Sequence, residues 1–458
     1  MLIKPDIEGS IWPAVVTGQT ATLASLMFQL EKSQFYPPDL LFAHQREQLK
    51  AVFAHAHQNV PFYTERFAKA GFDPRGDITP ETIRGLPVLT RIEFQQGGTG
   101  TAATRFPPGH GKAFQIRTSG TTGRPVVLSK TPFSQLIWSA TEIRGHLWHR
   151  RDVRGKLAII RWMEKPKAMA PAGSRANSWG PPAALFFPAT GPLVLLNIAS
   201  KLEDQADWLV RENPDYLLSY GSNILALAEY FERNGYALPR LREISTVSEV
   251  VTGGLREICR RVWNVPVVDL YSCEEAGYLA LQCSHHAHYH VQSENVYLEV
   301  VDDNGGPCAA GEVGRVVITT LHNFASPLIR YEVGDYAEVG NPCPCGRGLP
   351  VVTRILGRQR NRLVLPNGDT EFPYLGEHKE YQAITDAVRQ FQFIQRSVDE
   401  IEQMLVVSKP LTHEQEEKMK ALIVRSLGHP FRVTLTYHDD IPRSASGKFE
   451  EFICEVRR

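Results

Sequence analysis

The chain has 458 residues, of which 43% are hydrophobic and 22% charged, and its acidic and basic side chains are equal in number. This composition is typical of globular proteins and predicts about two to four domains. The balanced charge argues against a long-range field for nucleic acid or an anionic membrane. The most apolar stretch, residues 183–199, is broken by Pro188, Gly191 and Pro192. It is therefore not expected to span a membrane.

Two sequence features bear on the cellular location of the protein: the N-terminus and the cysteines. The first residues lack the basic start and apolar run of a signal peptide. The seven cysteines are few and odd in number, which disfavours a disulfide framework. We therefore expect a cytoplasmic protein.

Helices and strands alternate in the first part of the chain. Residues 47–60 predict a helix with one apolar face, ended by Pro61. Residues 216–219 read as a buried strand, followed by a helix over 223–234 that Ser222 would cap and Gly235 would end. Residues 267–271 predict another strand, which runs into the acidic turn at Glu274 and Glu275. This alternation predicts α/β layers with a partly parallel sheet.

Two other patterns follow. Strands at 296–301 and 312–320 are joined by the turn 302–306, which predicts an antiparallel or barrel-like unit. Beyond residue 357, a strand at 404–407, a helix opened by Thr412 with Gln415 in capping-box position, and a strand at 432–437 predict a compact α+β domain. The predicted organisation is a large α/β N-terminal domain, residues 1–357, and a smaller, mobile α+β domain, residues 358–458.

Residues 118–125 combine hydroxyls, glycines and an arginine. Glycines let consecutive backbone N–H groups turn towards one anion, and hydroxyls add donors, so this loop could hold phosphate. It is not a Walker loop, because no Gly-Lys-Ser/Thr follows. From composition alone, an ordinary Ser/Thr/Gly loop is an equally good interpretation.

Three further features are weak by themselves. A Gly-Lys ends the loop at 442–448, Tyr271 lies beside Glu274 and Glu275 at a strand end, and 330–335 ends in Gly-Asp before Gly357-Arg358. Lysines, acidic turns and Gly-Asp turns are common on protein surfaces. Carboxylates at the carboxyl ends of parallel strands, however, suit a metal or a ribose.

In this order and at this spacing, the motifs resemble those of the adenylate-forming superfamily of acyl-CoA synthetases, adenylation domains and luciferases. Residues 119–125 match its SGTTGxP loop, 271–275 an altered YGxTE element, 330–335 its RYxxGD element, and 442–448 its PRxxSGK loop. Segments 58–63, 86–90, 213–216 and 319–321 are similar to phenylacetate–CoA ligases and their relatives. The resemblance covers almost the whole chain.

The resemblance implies a role for each matched residue. Glu275 would help to hold Mg²⁺, Asp335 would accept hydrogen bonds from the ribose with support from Arg358, and Lys448 would bridge the attacking carboxylate and the α-phosphate. Arg360 would be the hinge between the domains. The remaining ATP- or AMP-binding residues that the resemblance implies are Thr118, Ser119, Gly120, Thr121, Thr122 and Gly123 at the phosphates and Tyr271 against adenine.

The resemblance also implies a two-step reaction, in which ATP converts a carboxylic acid to acyl-AMP and a thiol, most often that of coenzyme A, then displaces AMP. The acid implied is small and aromatic. Trp162, His146 and Phe187 could line its pocket, although core packing is the preferred interpretation of each. A homodimer is one option for the assembly.

Two alternatives remain open. The segment after Arg358 lacks the glycine pattern associated with coenzyme A, so the chain could instead pass acyl-AMP to an amine or carrier protein, or transfer AMP to a phenolic cofactor. A catalytically inactive binding protein on the same fold is the second alternative. The retained Glu275, Asp335 and Lys448 argue against it.

A Cys-Pro-Cys-Gly-Arg element at 343–347 follows a histidine-rich run. Some phenylacetate–CoA ligase relatives carry a cysteine, a histidine seven residues later and this element around a structural zinc, and Cys283, His290, Cys343 and Cys345 match that spacing. Three thiolates and an imidazole suit tetrahedral Zn²⁺. His288 is the residue most easily confused with His290, and unligated thiols with solvated histidines are the alternative.

Overall fold

A computed structural model describes residues 3–8, 10–118, 125–358, 361–375, 378–444 and 447–456. Several residues predicted to serve the active site lie outside the described residues: Ser119, Gly120, Thr121, Thr122, Gly123 and Arg360.

The described helices and strands alternate through most of the chain. The helices are α1 (Gly18–Ser33), α2 (Pro38–Asn59), α3 (Pro61–Ala70), α4 (Pro80–Arg84), α5 (Arg91–Gly97), α6 (Pro132–Trp148), α7 (Ala183–Phe186), α8 (Leu202–Glu212), α9 (Gly221–Asn234), α10 (Gly253–Trp263), α11 (His378–Ile384) and α12 (His413–Leu427). The strands up to the acidic turn are β1 (Phe114–Arg117), β2 (Val127–Lys130), β3 (Leu157–Arg161), β4 (Ser174–Ala176), β5 (Leu193–Asn197), β6 (Tyr216–Ser219), β7 (Glu243–Thr246) and β8 (Val267–Cys273). Those that follow are β9 (Gly277–Gln282), β10 (Tyr289–Val291), β11 (Val296–Val301), β12 (Val313–Thr320), β13 (Tyr331–Val339), β14 (Val351–Arg358), β15 (Leu363–Val364), β16 (Thr370–Glu371), β17 (Val388–Ser397), β18 (Glu400–Val407), β19 (Arg432–Tyr437) and β20 (Phe452–Cys454).

One twelve-stranded sheet, in the order β11-β12-β13-β14-β10-β9-β8-β7-β6-β3-β5-β4, organises residues up to Arg358. The strands from β8 through β7, β6 and β3 to β5 are parallel, as the predicted alternation of strands and helices requires. Helices α8, α9 and α10 contribute the buried apolar side chains that pack with this half of the sheet. The carboxyl ends of these strands consequently form one edge.

The other half of the sheet is antiparallel and strongly curled. Strands β8 and β13 are separated by β9, β10 and β14, so a flat sheet would hold them about 19 Å apart at about 4.8 Å per strand. Yet the hydroxyl of Tyr271 in β8 lies 2.9 Å from the carboxylate of Asp335 in β13. Curling therefore produces the barrel-like unit predicted from the turn at 302–306, and brings residues that are distant along the sheet into one site.

The C-terminal region has its own sheet and core. Strands β19-β18-β17-β20 form a four-stranded sheet, and the capping box of Thr412 and Gln415 starts α12 as predicted. The predicted apolar face of α12 is buried: Met419, Leu422, Ile423 and Leu427. This separate core begins after the last strand of the large sheet, which ends at Arg358.

One local prediction was wrong and another was incomplete. Ser222 does not cap α9, because the helix begins at Gly221 after Tyr220, and the Ser222 N–H is bonded to the Glu249 carboxylate at 2.8 Å. Pro61 does not merely end α2, which stops at Asn59; it also begins α3, since proline is favoured in the first helical turn. Within the described ranges, no helix is long and apolar enough to cross a membrane.

Candidate active site

The predicted nucleotide residues lie at the carboxyl edge of the parallel strands and on the curled antiparallel half. Tyr271 is near the end of β8, and Glu275 follows in the turn to β9. Asp335 and Arg358 are register partners on β13 and β14. The fold thus places these four residues around one region, where α/β sheets commonly bind ligands.

Asp335 is held by two partners. The Tyr271 hydroxyl donates to one carboxylate oxygen at 2.9 Å, and Arg358 Nε lies 3.7 Å from the other. Burial raises the pKa of Asp335, while the Arg358 cation and the Tyr271 hydrogen bond oppose that rise. The carboxylate is oriented before any ligand binds, and each of its oxygens can accept further hydrogen bonds.

Glu275 is also buried, with a relative exposure of 7%. Burial raises the pKa of its carboxyl, and the Arg91 cation, with Nη1 3.5 Å away, opposes this rise. The other terminal nitrogen of Arg91 donates to the Thr118 hydroxyl at 2.9 Å. That hydroxyl also accepts the Val126 N–H at 3.0 Å. Arg91 therefore connects the acidic turn to the base of the predicted phosphate loop.

The acidic turn is fixed from behind by Lys130, at the end of β2. Its ammonium donates to the Glu274 carbonyl at 2.6 Å and lies 4.8 Å from the centre of the Trp138 ring. Burial lowers the pKa of Lys130, and the charge of Glu274 opposes this change. The turn that carries Glu275 is thereby bound to α6 as well as to the sheet.

The loop that bears Lys448 is docked on the same edge. Glu249, beyond the end of β7, accepts the Phe449 N–H at 2.7 Å with one oxygen and the Ser222 N–H at 2.8 Å with the other. Arg443 donates to the Ser222 hydroxyl at 2.8 Å and lies 3.5 Å from Glu249. One buried carboxylate therefore joins the large sheet to the C-terminal region.

Lys448 consequently shares the site with the acidic residues. Burial is the main cause that lowers the pKa of its ammonium, and the Arg358 cation adds to it. The carboxylates of Asp335, Glu249 and Glu275 act in the opposite direction. A partly desolvated cation among these groups can interact strongly with an anionic substrate.

Three residues of this site were missed by the sequence reasoning: Arg91, Lys130 and Glu249. Glu249 had a usable signal, because it follows a parallel strand of the same edge. Arg91 is the first residue of a helix that starts with a capping box of Thr90 and Glu93, but capping does not predict a contact with Glu275, 184 residues away. The contact depends on tertiary structure alone.

The predicted zinc ligands also come together. Cys283 Sγ lies 3.9 Å from Cys343 Sγ, and Cys345 Sγ lies 3.4 Å from His290 Nε2. Ligand atoms of Cys283, His288, His290 and Cys343 all lie within 4.8 Å of one another. We call these five residues the Cys/His cluster. It contains both histidines that the sequence left in competition.

A cleft of about 1580 Å³ opens beside the Cys/His cluster, between α1 and α10. Cys283, Arg256 and Trp148 line it, but Tyr271, Glu275, Asp335 and Lys448 do not. The cleft is therefore separate from the candidate active site.

Comparison with known proteins agrees with this geometry. The CapK C-terminal domain family matches residues 378–455. A phenylacetate–coenzyme A ligase from Thermus thermophilus is 26% identical, covering 94% of this chain and all of that protein. A phenylacetate–coenzyme A ligase from Escherichia coli is 26% identical over 73% of this chain and 75% of that protein.

A solved structure shares the fold. It is a 2-hydroxyisobutyryl-CoA ligase in the postadenylation state in complex with R3-HIB-AMP, with a TM-score of 0.72, 18% identity, and coverage of 93% of this chain and 92% of that chain. The chain thus has the fold of adenylate-forming CoA ligases and is a relative of phenylacetate–CoA ligases. Both the fold class and the resemblance predicted from the sequence are confirmed.

Proposed function

We propose that this chain is an ATP-dependent adenylate-forming ligase that activates a small carboxylic acid as acyl-AMP and transfers the acyl group to coenzyme A. The observation that carries the proposal is that Asp335, Glu275 and the docked loop of Lys448 all lie at the carboxyl edge of the sheet. These groups come from three distant parts of the chain, and they match the cation and carboxylates that adenylation needs.

Asp335 would hold the ribose of ATP. Its oxygens face Tyr271 and Arg358, and remaining lone pairs can accept from ribose hydroxyls. Tyr271 would lie against adenine, and Thr118 would support the phosphate loop through Arg91. The predicted contacts of Ser119 to Gly123 with the phosphates remain part of this proposal.

In the first step, a carboxylate oxygen of the acid attacks the α-phosphorus of ATP. The bond from that phosphorus to the bridging oxygen of the β-phosphate breaks, and pyrophosphate leaves. Two anions must approach each other, so a fixed cation at their meeting point stabilises the transition state. In this proposal, Lys448 provides that cation.

In the second step, the sulfur of a thiol attacks the acyl carbon, the carbon–oxygen bond to AMP breaks, and the thiol proton is released to solvent. The C-terminal region from residue 358 would first rotate about the hinge at Arg360, removing Lys448 from the site. The contacts of Arg443 and Phe449 with the large sheet would then have to break.

A second candidate keeps the first step and changes the acceptor. The C-terminal region matches the CapK C-terminal domain family, and the segment after Arg358 lacks the glycine pattern associated with coenzyme A. In this candidate, acyl-AMP is passed to an amine or a carrier protein, or AMP is transferred to a phenol.

The site fits Mg²⁺ at Glu275. Mg²⁺ binds through one or two carboxylates together with substrate phosphates, and the guanidinium nearest to Glu275 is 3.5 Å away, a distance too long for a strong pair. When bound, Mg²⁺ would neutralise charge on the phosphates. The protein would contribute the carboxylate, and the Arg91 cation lies 3.5 Å from it.

The Cys/His cluster fits Zn²⁺. Tetrahedral ligation with Zn–S bonds of about 2.3 Å places sulfurs about 3.8 Å apart, close to the 3.9 Å between Cys283 and Cys343. The buried Nε2 of His288 has no hydrogen-bond partner among the described residues, as expected of an atom available to bind a metal. We propose a structural zinc on Cys283, Cys343, Cys345 and His290, with His288 as the competitor of His290.

The test is acid-dependent ATP–pyrophosphate exchange over aryl and aliphatic carboxylic acids, with and without coenzyme A. Exchange with one class of acids, with coenzyme A then consumed, is the expected result. Exchange without any consumption of coenzyme A would favour the second candidate. No exchange with any acid would overturn the proposed activity.

A further inference from the structure

A second set of polar side chains lies next to the acidic turn, and the ATP site does not use it. Trp138, Glu142 and His146 are spaced four residues apart on one face of α6, and Tyr278 faces them from β9. The centres of the Trp138 and Tyr278 rings are 5.7 Å apart. We call these four residues the α6 pocket.

The α6 pocket begins at the turn that carries Glu275. A β-carbon on Gly277 would lie 3.0 Å from the Trp138 ring, so this ring packs directly on the backbone beyond Glu275. Lys130 connects the same ring to the Glu274 carbonyl. Glu142 is one helical turn further along α6, about 5–6 Å from Trp138 between β-carbons. The pocket therefore leads from the reacting region into the fold.

Glu142 is partly accessible and yet strongly desolvated. Its side chain keeps an exposed fraction of 33%, although burial raises the pKa of its carboxyl to about 7. A group of this kind can line a recess that a ligand enters. The structure gives this carboxylate no hydrogen bond within the described ranges, and its distance of 4.0 Å to His146 Nε2 is too long for one.

The proton positions on His146 follow from its neighbour. Arg151 Nη1 lies 3.2 Å from His146 Nδ1. Arginine can only donate, so Nδ1 accepts and the proton of the neutral ring is on Nε2. Burial and the Arg151 cation lower the pKa of His146 to about 3, and the ring is neutral at physiological pH. The Nε2–H therefore points as a donor at the space in front of Glu142.

A donor and an acceptor 4.0 Å apart are both satisfied by one atom about 2.8 Å from each. When Glu142 is ionised, that atom must accept from His146 and donate to Glu142. A hydroxyl does both, whereas an ammonium only donates and an ether only accepts. The walls are aromatic: Trp138 and Tyr278 on one side, and Trp179, whose ring centre is 5.4 Å from that of His146, beyond it.

We propose that the α6 pocket selects a hydroxyl-bearing aromatic carboxylic acid, with its hydroxyl between His146 and Glu142. This inference rests on the proposed function, because it takes the occupant to be the acid that is adenylated. Glu142 and His146 would be specificity-determining residues. An unsubstituted ring would leave both polar groups buried without a partner, and sites built for a substrate hydroxyl strongly reject such analogues.

The test compares matched acids, 4-hydroxyphenylacetate with phenylacetate and 3- or 4-hydroxybenzoate with benzoate, by kcat/KM in ATP–pyrophosphate exchange. The wild type is expected to prefer a hydroxylated acid by at least about 10²-fold. Glu142→Leu should bring this ratio close to one. Glu142→Gln, which keeps an acceptor of the same shape, should restore part of it. Gln135→Leu, on the exposed side of α6, should leave the ratio unchanged.

A wild-type ratio near one would mean that the pocket holds only water, and would overturn the proposal. So would a preference that survives Glu142→Leu. Calorimetric binding of the same acids without ATP separates this proposal from the proposed activity. The protein could bind hydroxylated acids selectively, lose this selectivity in Glu142→Leu, and show no exchange. That result would overturn the proposed activity but support the proposed α6 pocket. Neither binding nor exchange of any acid would overturn both.

Discussion

The ATP site and the α6 pocket share the acidic turn, but they differ in whether their polar groups already have hydrogen-bond or ion-pair partners. In the ATP site, Asp335 has both Tyr271 and Arg358 as partners. In the α6 pocket, Glu142 and His146 stop 4.0 Å short of each other. The first arrangement is fixed before ligand binds, which suits a nucleotide common to a whole superfamily. The second needs a ligand atom for its completion, which suits a feature particular to one substrate.

The largest effect is expected at the cation of the ATP site. Lys448→Ala should lower the rate of ATP–pyrophosphate exchange by about 10²–10³-fold, since it removes a single charge-stabilising donor. Thioester formation from supplied acyl-AMP should be spared. Lys420→Ala, which removes an exposed lysine paired with Glu417, is the control. Near-normal exchange in Lys448→Ala would rule out the assigned role.

Removing the best-partnered carboxylate comes next. Asp335→Asn should lower kcat/KM for ATP by about 10–100-fold, the value of hydrogen bonds to a charged group. The change should fall mainly on the KM for ATP and leave the preference among acids intact. Asp303→Asn, in an exposed turn, provides a matched control. A shifted acid preference would show that the two regions are not independent.

The Cys/His cluster resembles the α6 pocket in that a bound ligand, here zinc, is proposed to complete it. The purified protein should contain one zinc per chain. The double variant Cys343→Ser/Cys345→Ser should lose it and unfold at least about 5 °C lower, because metal binding contributes to folding. Exchange activity at 25 °C should fall less than in Asp335→Asn.

Stoichiometric metal in that double variant would exclude the proposed ligand set. Metal analysis of His288→Ala and His290→Ala separately identifies the histidine ligand. Cys308→Ser, outside the cluster, should retain the metal.

The smallest expected effect is a pH dependence of stability. Burial raises the pKa of Glu142 from its usual 4.5 to about 7, so the folded state binds its proton more tightly than the unfolded state does. The stabilisation is complete below about pH 4.5 and is lost as the pH rises through about 7. Nearby, His146 stays neutral over this range.

Glu142→Gln should therefore match the wild type in melting temperature at pH 5 and exceed it at pH 8, by about 1–3 °C. Scanning calorimetry of both proteins across this range measures the difference. A difference that does not change with pH would contradict the enclosed position of Glu142.

The sequence predicted well what local chemistry encodes. Turn residues and capping boxes identified the antiparallel strands and α12. Ordered motifs proposed Asp335, Glu275 and Lys448 as site residues. The sequence-based prediction failed where the hydrogen-bond partner of a backbone group is set by tertiary structure. The Ser222 N–H takes the Glu249 carboxylate instead of starting a cap. The α6 pocket also escaped, because spacing puts Glu142 and His146 on one helix face but does not say whether that face meets packed core or a cavity.

The contact of Glu249 with the Lys448 loop has a kinetic consequence. The same carboxylate accepts the Ser222 N–H at the start of α9 and the Phe449 N–H of the C-terminal region. If the C-terminal region moves between the two half-reactions, the lifetime of this contact sets how long each acyl-AMP waits before a thiol can reach it. A stronger contact would protect acyl-AMP from hydrolysis but slow turnover, so Glu249 would help to set the rate of the domain rotation.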